Sequence, residues 1–483
     1  MKNPFAILLA SLFGLAVFTG YSQGASRKST EIILLHTNDM HARIDNMAKL
    51  AYLADSLRKS HPDVFLVSAG DNFTGNPVVD MAPDKGFPMI DLMNRCGFNV
   101  SAMGNHEFDM GQEFLRKRLS QAAFPFICSN FDASGATLGA VKPYVVLGTS
   151  TGDSIVLLGL IQLDDNGLPS SIPTHLTGIR FEKGWIKARK YTWLKERYGN
   201  LIALSHLGLE DDIVLADSVP QFDLVIGGHS HTLLDKPRME NGVMIVQAGS
   251  YLKYVGKTTL QVDHGHITGR TDEVIPMASL NRETPGVKSL VSQYNSNPDF
   301  DKVIAVAEKP IEGVDELGSM MTDAITHKVK VDFAFQNKGG IRIPSLAAGN
   351  ITLRDIYKLD PFSNQVVLFS MKPAEIRSLL CYGFQHEKQA DLQVSGMTYT
   401  IITDGHLHCV SVELYDKTGK PLNPATEYSV AVNSYIASAY IFDHRDKGTT
   451  MTFTTTEALI GYLTDMKTVS YSGVKRVSVD LSH

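Results

Sequence analysis

Five short segments of the sequence carry side chains that could bind metal ions. They are carboxylates, an amide and imidazoles, and the candidate ligands are Asp39, His41, Asp71, Asn105, His206, His229 and His231. Nitrogen and oxygen ligands without thiolate suit zinc, manganese or iron and argue against an iron–sulfur or copper–thiolate site. Seven ligands are too many for one tetrahedral ion but suit two ions that share a carboxylate. Two ions about 3.5–4 Å apart form the clamp used for in-line displacement at phosphorus, and Asp71 is the natural bridge.

The elements that must position these residues are short buried strands. The β-rich runs that precede or contain the candidate ligands span residues 32–35, 64–67, 100–103, 201–204 and 222–226. In α/β proteins, ligands and catalytic groups lie beyond the carboxyl ends of such strands. Between the first two runs, Met47, Leu50, Ala54 and Leu57 recur at helical spacing. Some later runs lack an obvious helix between them, so we expect a mixed α/β sandwich rather than a simple doubly wound sheet.

Length and composition bound the class of protein without indicating its function. The chain has 483 residues, 20% of them charged and 43% hydrophobic, which excludes a disordered, collagen-like or heptad-repeat chain. The net charge of −6 points neither to nucleic acid nor to an anionic membrane. The four cysteines are scattered, so this is not a disulfide scaffold. Whether Cys96–Cys128 or Cys381–Cys409 are bonded stays open at this stage, and their apolar neighbours favour buried free thiols.

The first 25 residues are predicted to form a secretory signal peptide. Lys2 precedes an apolar run over residues 5–18, and small residues follow at Gly20, Ser22, Gly24 and Ala25. The run is shorter than the roughly 20 residues of a membrane span, and no later segment is long and apolar enough to cross. An uncleaved anchor is the alternative. We therefore expect a secreted, periplasmic protein without a membrane span.

The order of the motifs resembles the calcineurin-like metallophosphoesterases. That order is D-x-H, G-D, G-N-H-E, H and G-H-x-H across residues 39–231, and the longer forms N-D-M-H and G-N-H-E-F-D are similar to the 5′-nucleotidase branch. The resemblance implies an N-terminal four-layer α/β/β/α sandwich over residues 30–280, holding two divalent ions of zinc, manganese, cobalt or iron. It implies that one ion is held by Asp39, His41, Asp71 and His231, and the other by Asp71, Asn105, His206 and His229.

The same resemblance implies catalytic roles for His106 and Asp109. In the family, the residue matching His106 lies near the phosphoryl group and is paired with the aspartate matching Asp109. A cationic imidazole can stabilise charge on the transferring phosphoryl group and protonate the leaving oxygen. A hydroxide made by the two ions is the expected nucleophile.

The second half resembles the C-terminal domain of 5′-nucleotidases. A polar linker is predicted over residues 281–300, around one possible helix, followed by a smaller α+β substrate-binding domain over 301–483. The segment 337–342 reads N-K-G-G-I-R, and D-P-F-S-N follows at 360–364. The resemblance implies that Arg342 reaches the substrate phosphate, that Asn337 hydrogen-bonds the base, and that Phe362 and Tyr435 sandwich the base.

Two departures from the family pattern affect substrate recognition. Relatives carry a Gly-Gly-Asp-Gly-aromatic segment whose aspartate contacts the ribose, whereas this chain reads S-A-Y-I-F-D over 438–443. Relatives also carry an arginine shortly before the segment that matches Glu316, and residues 310–314 offer none. The hydrolytic motifs are complete, and the substrate-selecting half is altered.

The resemblance implies a two-metal phosphoesterase that hydrolyses nucleoside 5′-monophosphates to nucleoside and phosphate. A UDP-sugar hydrolase or a 2′,3′-cyclic nucleotide phosphodiesterase on the same site is an alternative. An alternative of another class is a nucleotide-binding or surface-interaction protein without turnover. A nucleic-acid phosphodiesterase ranks last, because the densest basic stretches lie between the motifs and are typical of solvated helix faces. The expected partner is a small nucleotide rather than a nucleic acid, and the oligomeric state stays open.

Overall fold

The first half of the chain folds around two six-stranded sheets. The structure, a computed structural model, describes residues 29–164, 166–362 and 364–481, so the export signal predicted over 1–25 lies outside the described residues. The strands of this half are β1 (Thr30–Thr37), β2 (Val64–Ser68), β3 (Val100–Ala102), β4 (Phe126–Ile127), β5 (Phe131–Asp132), β6 (Tyr144–Gly148), β7 (Ser154–Ile161), β8 (Arg180–Phe181), β9 (Ile202–His206), β10 (Leu224–Ile226), β11 (Arg238–Glu240), β12 (Val243–Val246), β13 (Tyr254–Asp263) and β14 (His266–Pro276). The helices are α1 (Met47–Ser60), α2 (Pro77–Asp80), α3 (Phe87–Cys96), α4 (Gly111–Gln121), α5 (Gly184–Ala188), α6 (Trp193–Tyr198), α7 (Leu209–Ser218) and α8 (Pro285–Tyr294).

Both sheets have a parallel centre. One sheet has the strand order β14-β13-β1-β2-β3-β4 and the other has the order β11-β12-β10-β9-β7-β6. Strands β1 to β4 run parallel in the first sheet, and β7, β9, β10 and β12 run parallel in the second. Antiparallel strands β13 and β6 border the two parallel sets. The carboxyl ends of the parallel strands therefore meet at one edge of each sheet, as a strand-end site requires.

Alternate residues of β1 explain why its sequence is apolar throughout. Ile32 and Leu34 pack in the core between the two sheets, while Ile33 and Leu35 pack in the core under α1, α3 and α4. Successive side chains of a strand point to opposite faces, so a strand covered on both faces has no polar side. A third core lies between the second sheet and α5 to α7. These cores separate four layers, and the predicted α/β/β/α sandwich is confirmed.

The segment predicted as a linker contains a helix that docks on the first half. Val287 and Val291 of α8 belong to the same buried core as Met47 and Leu50 of α1. Phe300, just beyond this helix, joins that core as well and contacts Tyr357 of the second half edge-on. The polar residues of 281–300 therefore face outward from a packed element.

The second half is a smaller α+β unit, as predicted. Its strands are β15 (Val303–Ala307), β16 (Ile311–Glu312), β17 (Phe333–Asn337), β18 (Ser345–Leu346), β19 (Gly349–Thr352), β20 (Gln365–Met371), β21 (Leu392–Ser395), β22 (Met397–Thr403), β23 (Cys409–Asp416), β24 (Tyr428–Asn433), β25 (Thr449–Thr454), β26 (Thr468–Val469) and β27 (Val477–Leu481). Its helices are α9 (Gly313–Val329), α10 (Leu353–Leu359), α11 (Pro373–Glu387), α12 (Ser434–Ala439) and α13 (Thr455–Met466). The largest sheet has the order β21-β17-β24-β20-β25.

The cysteines divide into one bonded pair and two free thiols. Cys381 of α11 and Cys409 of β23 form a disulfide, with their Cα atoms 5.6 Å apart. Cys96 and Cys128 are free and buried, and burial raises the pKa of each thiol to about 12. The interpretation as free thiols is thus confirmed for Cys96 and Cys128 and wrong for Cys381 and Cys409, because the packing of α11 on β23 leaves no sign in the spacing.

In the described part of the chain, every helix falls short of the length and apolar content needed to cross a membrane.

Candidate active site

The loops that follow five parallel strands bring all seven candidate ligands together. Asp39 and His41 follow β1, Asp71 follows β2, and Asn105 follows β3. His206 is the last residue of β9, and the loop after β10 supplies the remaining two, His229 and His231. The two sheets thus contribute from both sides of the sandwich to one site.

Asp39, His41 and His231 form the first group of ligands. The Nε2 atoms of His41 and His231 are 3.1 Å apart, and His231 Nε2 lies 3.5 Å from Asp39 Oδ1. His41 Nδ1 lies 3.3 Å from the carbonyl oxygen of Thr74. A carbonyl can only accept, so Nδ1 carries the proton and Nε2 presents its lone pair to the other ligands.

The second group consists of Asp71, Asn105, His206 and His229. His206 Nε2 lies 3.1 Å from Asp71 Oδ2 and 3.2 Å from Asn105 Oδ1, which is itself 3.0 Å from His229 Nδ1. Asp71 Oδ2 also lies 3.8 Å from His41 Nε2 of the first group. Asp71 therefore stands between the two groups, in the place of a shared ligand.

The pKa shifts of these buried groups show which imidazoles are neutral and where positive charge is favoured. Burial lowers the pKa of His229 to about 4 and that of His231 to about 3, which leaves both imidazoles neutral, the form that binds metal. Burial raises the pKa of Asp39 to about 7. Burial also opposes protonation of His206, but the carboxylate of Asp71 outweighs it and raises the pKa of His206 to about 10. Positive charge is thus favoured where Asp71 and His206 meet, and the donor set fits two divalent ions.

Five of the seven candidate ligands have left-handed backbone conformations. The φ angles are 47° at Asp39, 45° at His41, 54° at Asp71, 76° at His229 and 55° at His231. Such a conformation costs an ordinary L-residue about 1–3 kcal/mol and persists only where surrounding contacts enforce it. Sequence reasoning does not find this feature, because none of the five is glycine.

Two supporting residues lie inside the motifs but received no role from sequence reasoning. Glu107 is fully buried, and its carboxylate accepts hydrogen bonds from the N–H groups of Asp71 and Gly104, at 3.0 and 2.7 Å. Asn38 donates from Nδ2 to Asp39 Oδ2 at 2.7 Å. Both therefore fix the loops that carry the ligands. Their signal in the sequence is that each directly neighbours a motif residue and is polar.

Gly104 is required by the close approach of two of these loops. A Cβ atom on Gly104 would lie 2.2 Å from Asp71 Oδ1 and 2.6 Å from the backbone nitrogen of Asp71. Both distances are far below van der Waals contact, and one of them is to backbone that cannot rotate away. The glycine before Asn105 thus keeps the central carboxylate in its place.

His106 is paired with Asp109, as the family resemblance implies. Its Nδ1 lies 2.8 Å from Asp109 Oδ2, and Thr74 Oγ1 donates to the same oxygen at 2.6 Å. Burial alone would lower the pKa of His106, but the carboxylates of Asp109 and Asp71 outweigh it and raise that pKa. The imidazole is therefore poised to carry a proton. His106 also lies close enough to His41 and Asp71 to be a possible ligand.

The second half of the chain reaches the ligand groups through Arg342 and Phe362. Arg342 Nη2 donates to His41 Nε2 at 2.8 Å, and the guanidinium carbon lies 5.4 Å from the ring centroid of Phe362. The Phe362 ring stacks on His106, with centroids 5.3 Å apart and planes 17° from parallel. Residues predicted for metal, proton transfer and substrate are thus in mutual contact.

A cavity of about 310 Å³ lies between the two halves at this point. The predicted residues that line it are Asp71, Asn105, His106, Asp109, His229, His231, Asn337, Arg342, Phe362 and Tyr435. Asp39, His41 and His206 lie behind this wall and are fully buried. Asn337 is largely buried as well, and its Oδ1 accepts from Nδ2 of Asn433 at 2.8 Å.

Tyr440 belongs to the segment 438–443, which departs from the family pattern. It lines the same cavity, and its hydroxyl donates to Asp391 Oδ2. Asp391 also accepts from the backbone N–H of Lys338 at 3.0 Å, and burial raises its pKa to about 6. A carboxylate is therefore present at this wall, but it comes from the loop before β21 and is shared with a tyrosine.

Comparisons with known proteins agree in covering both halves. Residues 32–233 match the family model described as calcineurin-like phosphoesterase, and residues 303–441 match that of the 5′-nucleotidase C-terminal domain. A 5′-nucleotidase of Vibrio cholerae is 28% identical over 90% of this chain and 89% of its own length. The trifunctional nucleotide phosphoesterase protein YfkN of Bacillus subtilis is 26% identical over 84% of this chain, which spans 32% of that longer protein. The crystal structure of a 5′-nucleotidase precursor from Thermus thermophilus superposes with a TM-score of 0.82 at 27% identity, covering 93% of this chain and 99% of that one.

Proposed function

The chain belongs to the calcineurin-like phosphoesterases that carry a 5′-nucleotidase C-terminal domain, and we propose that it hydrolyses nucleoside 5′-monophosphates to nucleoside and phosphate. Membership makes it a phosphoesterase hydrolase. The observation that carries the finer proposal is the single cavity in which the Asp71-centred ligand groups meet Arg342, Phe362 and Tyr435 of the second half. The cavity holds groups for a phosphoryl end and for an aromatic end of one small molecule.

We assign the seven ligands to two divalent ions. One ion would be held by Asp39, His41, Asp71 and His231, and the other by Asp71, Asn105, His206 and His229. Two bound divalent ions activate water for attack and neutralise charge on the phosphoryl group. The chain itself keeps Asn105 in register, because Asn105 Nδ2 donates to the carbonyl oxygen of Ser170 at 2.9 Å and so turns Oδ1 toward His206 and His229.

His106 is the proposed general acid. The Asp109 carboxylate holds the proton on Nδ1, and Asp109 and Asp71 together raise the pKa of the ring, which favours its protonated form. The protonated imidazole donates to the oxygen of the leaving nucleoside and stabilises charge on the phosphoryl group. Phe362, stacked on His106, restricts rotation of the imidazole and excludes water from its face.

Substrate binding is assigned to four residues of the second half. Arg342 would bind the phosphate, since a guanidinium offers a planar pair of donors that matches phosphate oxygens. Phe362 and Tyr435 line the same cavity and offer aromatic faces to a nucleobase, and Asn337 offers an amide. The first half supplies the proposed metal ligands and the second half supplies the proposed substrate-binding residues, so both halves are necessary for turnover.

A substrate panel with and without metal tests this function. We expect that EDTA abolishes hydrolysis of AMP and that manganese, zinc or cobalt restores it, because activation of the attacking water depends on the two ions and neither Arg342 nor His106 supplies it. AMP, a 2′,3′-cyclic nucleotide, UDP-glucose and a simple sugar phosphate are compared by phosphate release. Metal-independent turnover would contradict the two-metal assignment. Binding of AMP without turnover of any of these esters would instead favour the nucleotide-binding alternative.

We also propose that the chain is exported to the periplasm. The support is the disulfide between Cys381 and Cys409, a bond that persists in oxidising compartments, together with the signal predicted over 1–25. Expression of the full chain in a Gram-negative host should place the protein in the periplasmic fraction. Two thiols per chain should then react with a maleimide after unfolding without reductant, and four after reduction. Four reactive thiols before reduction would contradict export, and Cys381→Ser is the control that leaves three.

A further inference from the structure

Three buried amides form a hydrogen-bonded group at the wall of the cavity, and the roles proposed above use only one of them. Asn337 lines the cavity, while Gln336 and Asn433 are almost completely buried. Gln336 precedes Asn337 on β17, and Asn433 ends the neighbouring strand β24. A buried amide costs free energy unless its donors and acceptors are paired. The pairing within this group therefore determines what Asn337 can offer to a substrate.

The orientation of the Asn433 amide is set by a backbone group. Its Oδ1 accepts from the N–H of Ile436 at 2.8 Å and so caps the first turn of α12. A backbone N–H can only donate, so the oxygen of the amide must face Ile436 and the nitrogen must face away from it. Asn433 Nδ2 is therefore a fixed donor, and it faces Asn337.

This fixed donor in turn sets the orientation of the Asn337 amide. Asn433 Nδ2 donates to Asn337 Oδ1 at 2.8 Å, and Gln336 Nε2 donates to the same oxygen at 3.3 Å. Gln336 Oε1 accepts from Asn433 Nδ2 at 3.3 Å, which keeps the Gln336 amide in the matching orientation. An amide oxygen has two lone pairs, so Asn337 Oδ1 has no capacity left for a ligand.

The nitrogen of the Asn337 amide lies on the open side of the group. A Cβ atom on Gly339 would lie 3.2 Å from Asn337 Nδ2, whereas one on Gly340 would lie 3.2 Å from Oδ1. Gly339 is exposed and Gly340 is buried, so the nitrogen faces outward and the oxygen faces the interior. Asn337 thus offers a donor to the contents of the cavity.

We propose that Asn433 is a positioning residue that makes Asn337 a hydrogen-bond donor only, so that the site selects nucleobases with an acceptor at this point. The inference rests on the proposed hydrolysis of nucleoside monophosphates and adds the polarity of the contact with the base. An amide that rotates freely offers its oxygen or its nitrogen and pairs with a donor or an acceptor alike. The fixed amide does not, so a base that presents C–H or N–H here leaves Asn337 Nδ2 unpaired.

Deaza analogues of AMP test the contact with the base in the wild type. Adenine in AMP offers acceptors at N1, N3 and N7, and the 1-, 3- and 7-deaza analogues each replace one of these nitrogens by C–H. With manganese bound, phosphate release gives kcat/KM for AMP and for each analogue. We expect one analogue, the sensitive analogue, to lose about tenfold or more relative to AMP, because it leaves Asn337 Nδ2 unpaired. Values within about twofold for all four esters would overturn the proposal without any variant.

The variant Asn433→Asp tests the positioning role. A carboxylate still accepts from the N–H of Ile436 and caps α12, but it offers no donor to Asn337 Oδ1. The Asn337 amide then turns its nitrogen to the carboxylate, and its oxygen faces the cavity. Assays at about pH 8.5 keep the carboxyl group ionised, since the N–H groups of Ile436, Gln336 and Asn337 stabilise its charge. The difference in kcat/KM between AMP and the sensitive analogue should fall to less than about threefold.

Two controls separate positioning from damage to the fold. Ribose 5-phosphate has no base, so Asn433→Asp should lower its kcat/KM much less than that of AMP. Asn423→Asp changes an exposed asparagine whose Oδ1 also accepts from a backbone N–H, that of Ala425 at 3.0 Å, and should keep the wild-type difference between AMP and the sensitive analogue. If Asn433→Asp does not fold, Asn433→Ser takes its place with the same expectation, because serine also caps a helix but its hydroxyl is too short to reach Asn337.

The outcomes distinguish this inference from the proposed function. If Asn433 only supports α12, its variants will lower kcat/KM for AMP and the sensitive analogue by the same factor, and the unchanged ratio would overturn the positioning role. Turnover of AMP without any sensitive analogue would overturn the contact with the base and leave the phosphoesterase function standing. A chain that hydrolyses neither AMP nor its analogues would refute the proposed function, and the inference with it.

Discussion

His106 differs from the other imidazoles of the site because its Nδ1 lies against Asp109, a carboxylate outside the proposed ligand set. If it acts as a general acid, its importance depends on the leaving group. We expect His106→Ala to lower kcat for AMP by about 10²-fold or more, because a nucleoside 5′-oxygen leaves poorly without a proton. For 4-nitrophenyl phosphate, whose phenolate leaves without protonation, the loss should be much smaller. Steady-state kinetics on the two esters measure the difference.

Two controls separate this role from damage to the metal site. The metal content of His106→Ala, measured by atomic emission, should stay at two ions per chain. Asp109→Asn should show the same dependence on leaving group in weaker form, because it leaves the imidazole in place and removes one of the two carboxylates that raise its pKa. Equal losses on both esters would show that His106 stabilises charge on the phosphoryl group and does not protonate the leaving oxygen.

Candidate site residues can be selected from the sequence, but their conformations cannot. All seven candidate ligands were found from residue type and strand-end position, and the structure brings them together. The left-handed backbone at Asp39, His41 and Asp71 leaves no sign in the sequence, because the contacts that enforce it come from distant loops. Glu107 is such a contact, linking the loops after β2 and β3.

At the scale of elements, the buried strands were predictable and the packing partners were not. A strand with both faces covered is apolar throughout, so β1 and β2 appear in the sequence as uninterrupted runs. The two-sheet architecture rested on the family resemblance, because side-chain periodicity does not say which sheet a strand joins. A helix was expected within the polar stretch 281–300, but its docking on the first half was not, because Val287 and Val291 are its only buried residues.

The disulfide illustrates the same limit. Cys381 lies on α11 and Cys409 on β23, 28 residues apart, and either residue alone has the apolar neighbours of a free buried thiol. What joins them is the packing of α11 on the sheet that contains β23, a tertiary contact between two elements. The same limit applies to the altered segment 438–443. Its Tyr440 donates a hydrogen bond to Asp391, which lies 49 residues earlier, and the sequence gives no sign of this contact.

At the scale of the whole molecule, an acidic protein must bind an anionic substrate. The net charge is −6, so long-range attraction does not bring a phosphate to the site. Local cations do so instead: Arg342 of the second half and His106 of the first, whose pKa is raised, both line the cavity between the halves. The relative position of the two halves is therefore part of substrate binding.

The two halves are also joined by an ion pair between His386 and Asp164. His386 lies at the end of α11, and its Nε2 is 3.6 Å from Asp164 Oδ1 in the loop after β7. The same Asp164 oxygen accepts from Ser170 Oγ at 2.7 Å, and the carbonyl oxygen of Ser170 holds the amide of Asn105. The loop that contains Asp164 and Ser170 thus connects the contact with His386 to the proposed metal ligand Asn105.

The pH dependence of stability should reveal this pair. Asp164 and Glu387 raise the pKa of His386 from its ordinary value of 6.5 to about 10. A pKa raised on folding stabilises the folded chain below the unfolded value, and the gain is lost as pH rises through the folded value. The pKa of Asp164 is lowered from 3.8, because His386 and Ser170 outweigh the effect of burial, so its contribution is lost only in acid. The pair should therefore stabilise fully between about pH 4 and 6.5 and not at all above about pH 10.

Thermal unfolding of His386→Gln against the wild type tests this window. The variant should have a lower Tm at pH 5.5 and the same Tm at pH 10.5, and Asp164→Asn should add little to His386→Gln because each removes the same pair. His327→Gln, which breaks the exposed pair with Asp465 inside the second half, is the control and should leave the KM for AMP unchanged. Since His386 holds the halves together, its removal should raise that KM more than it lowers kcat at pH 5.5. A Tm difference that persists unchanged at pH 10.5 would mean that His386 stabilises the chain by packing, and the proposed electrostatic link between the halves would fail.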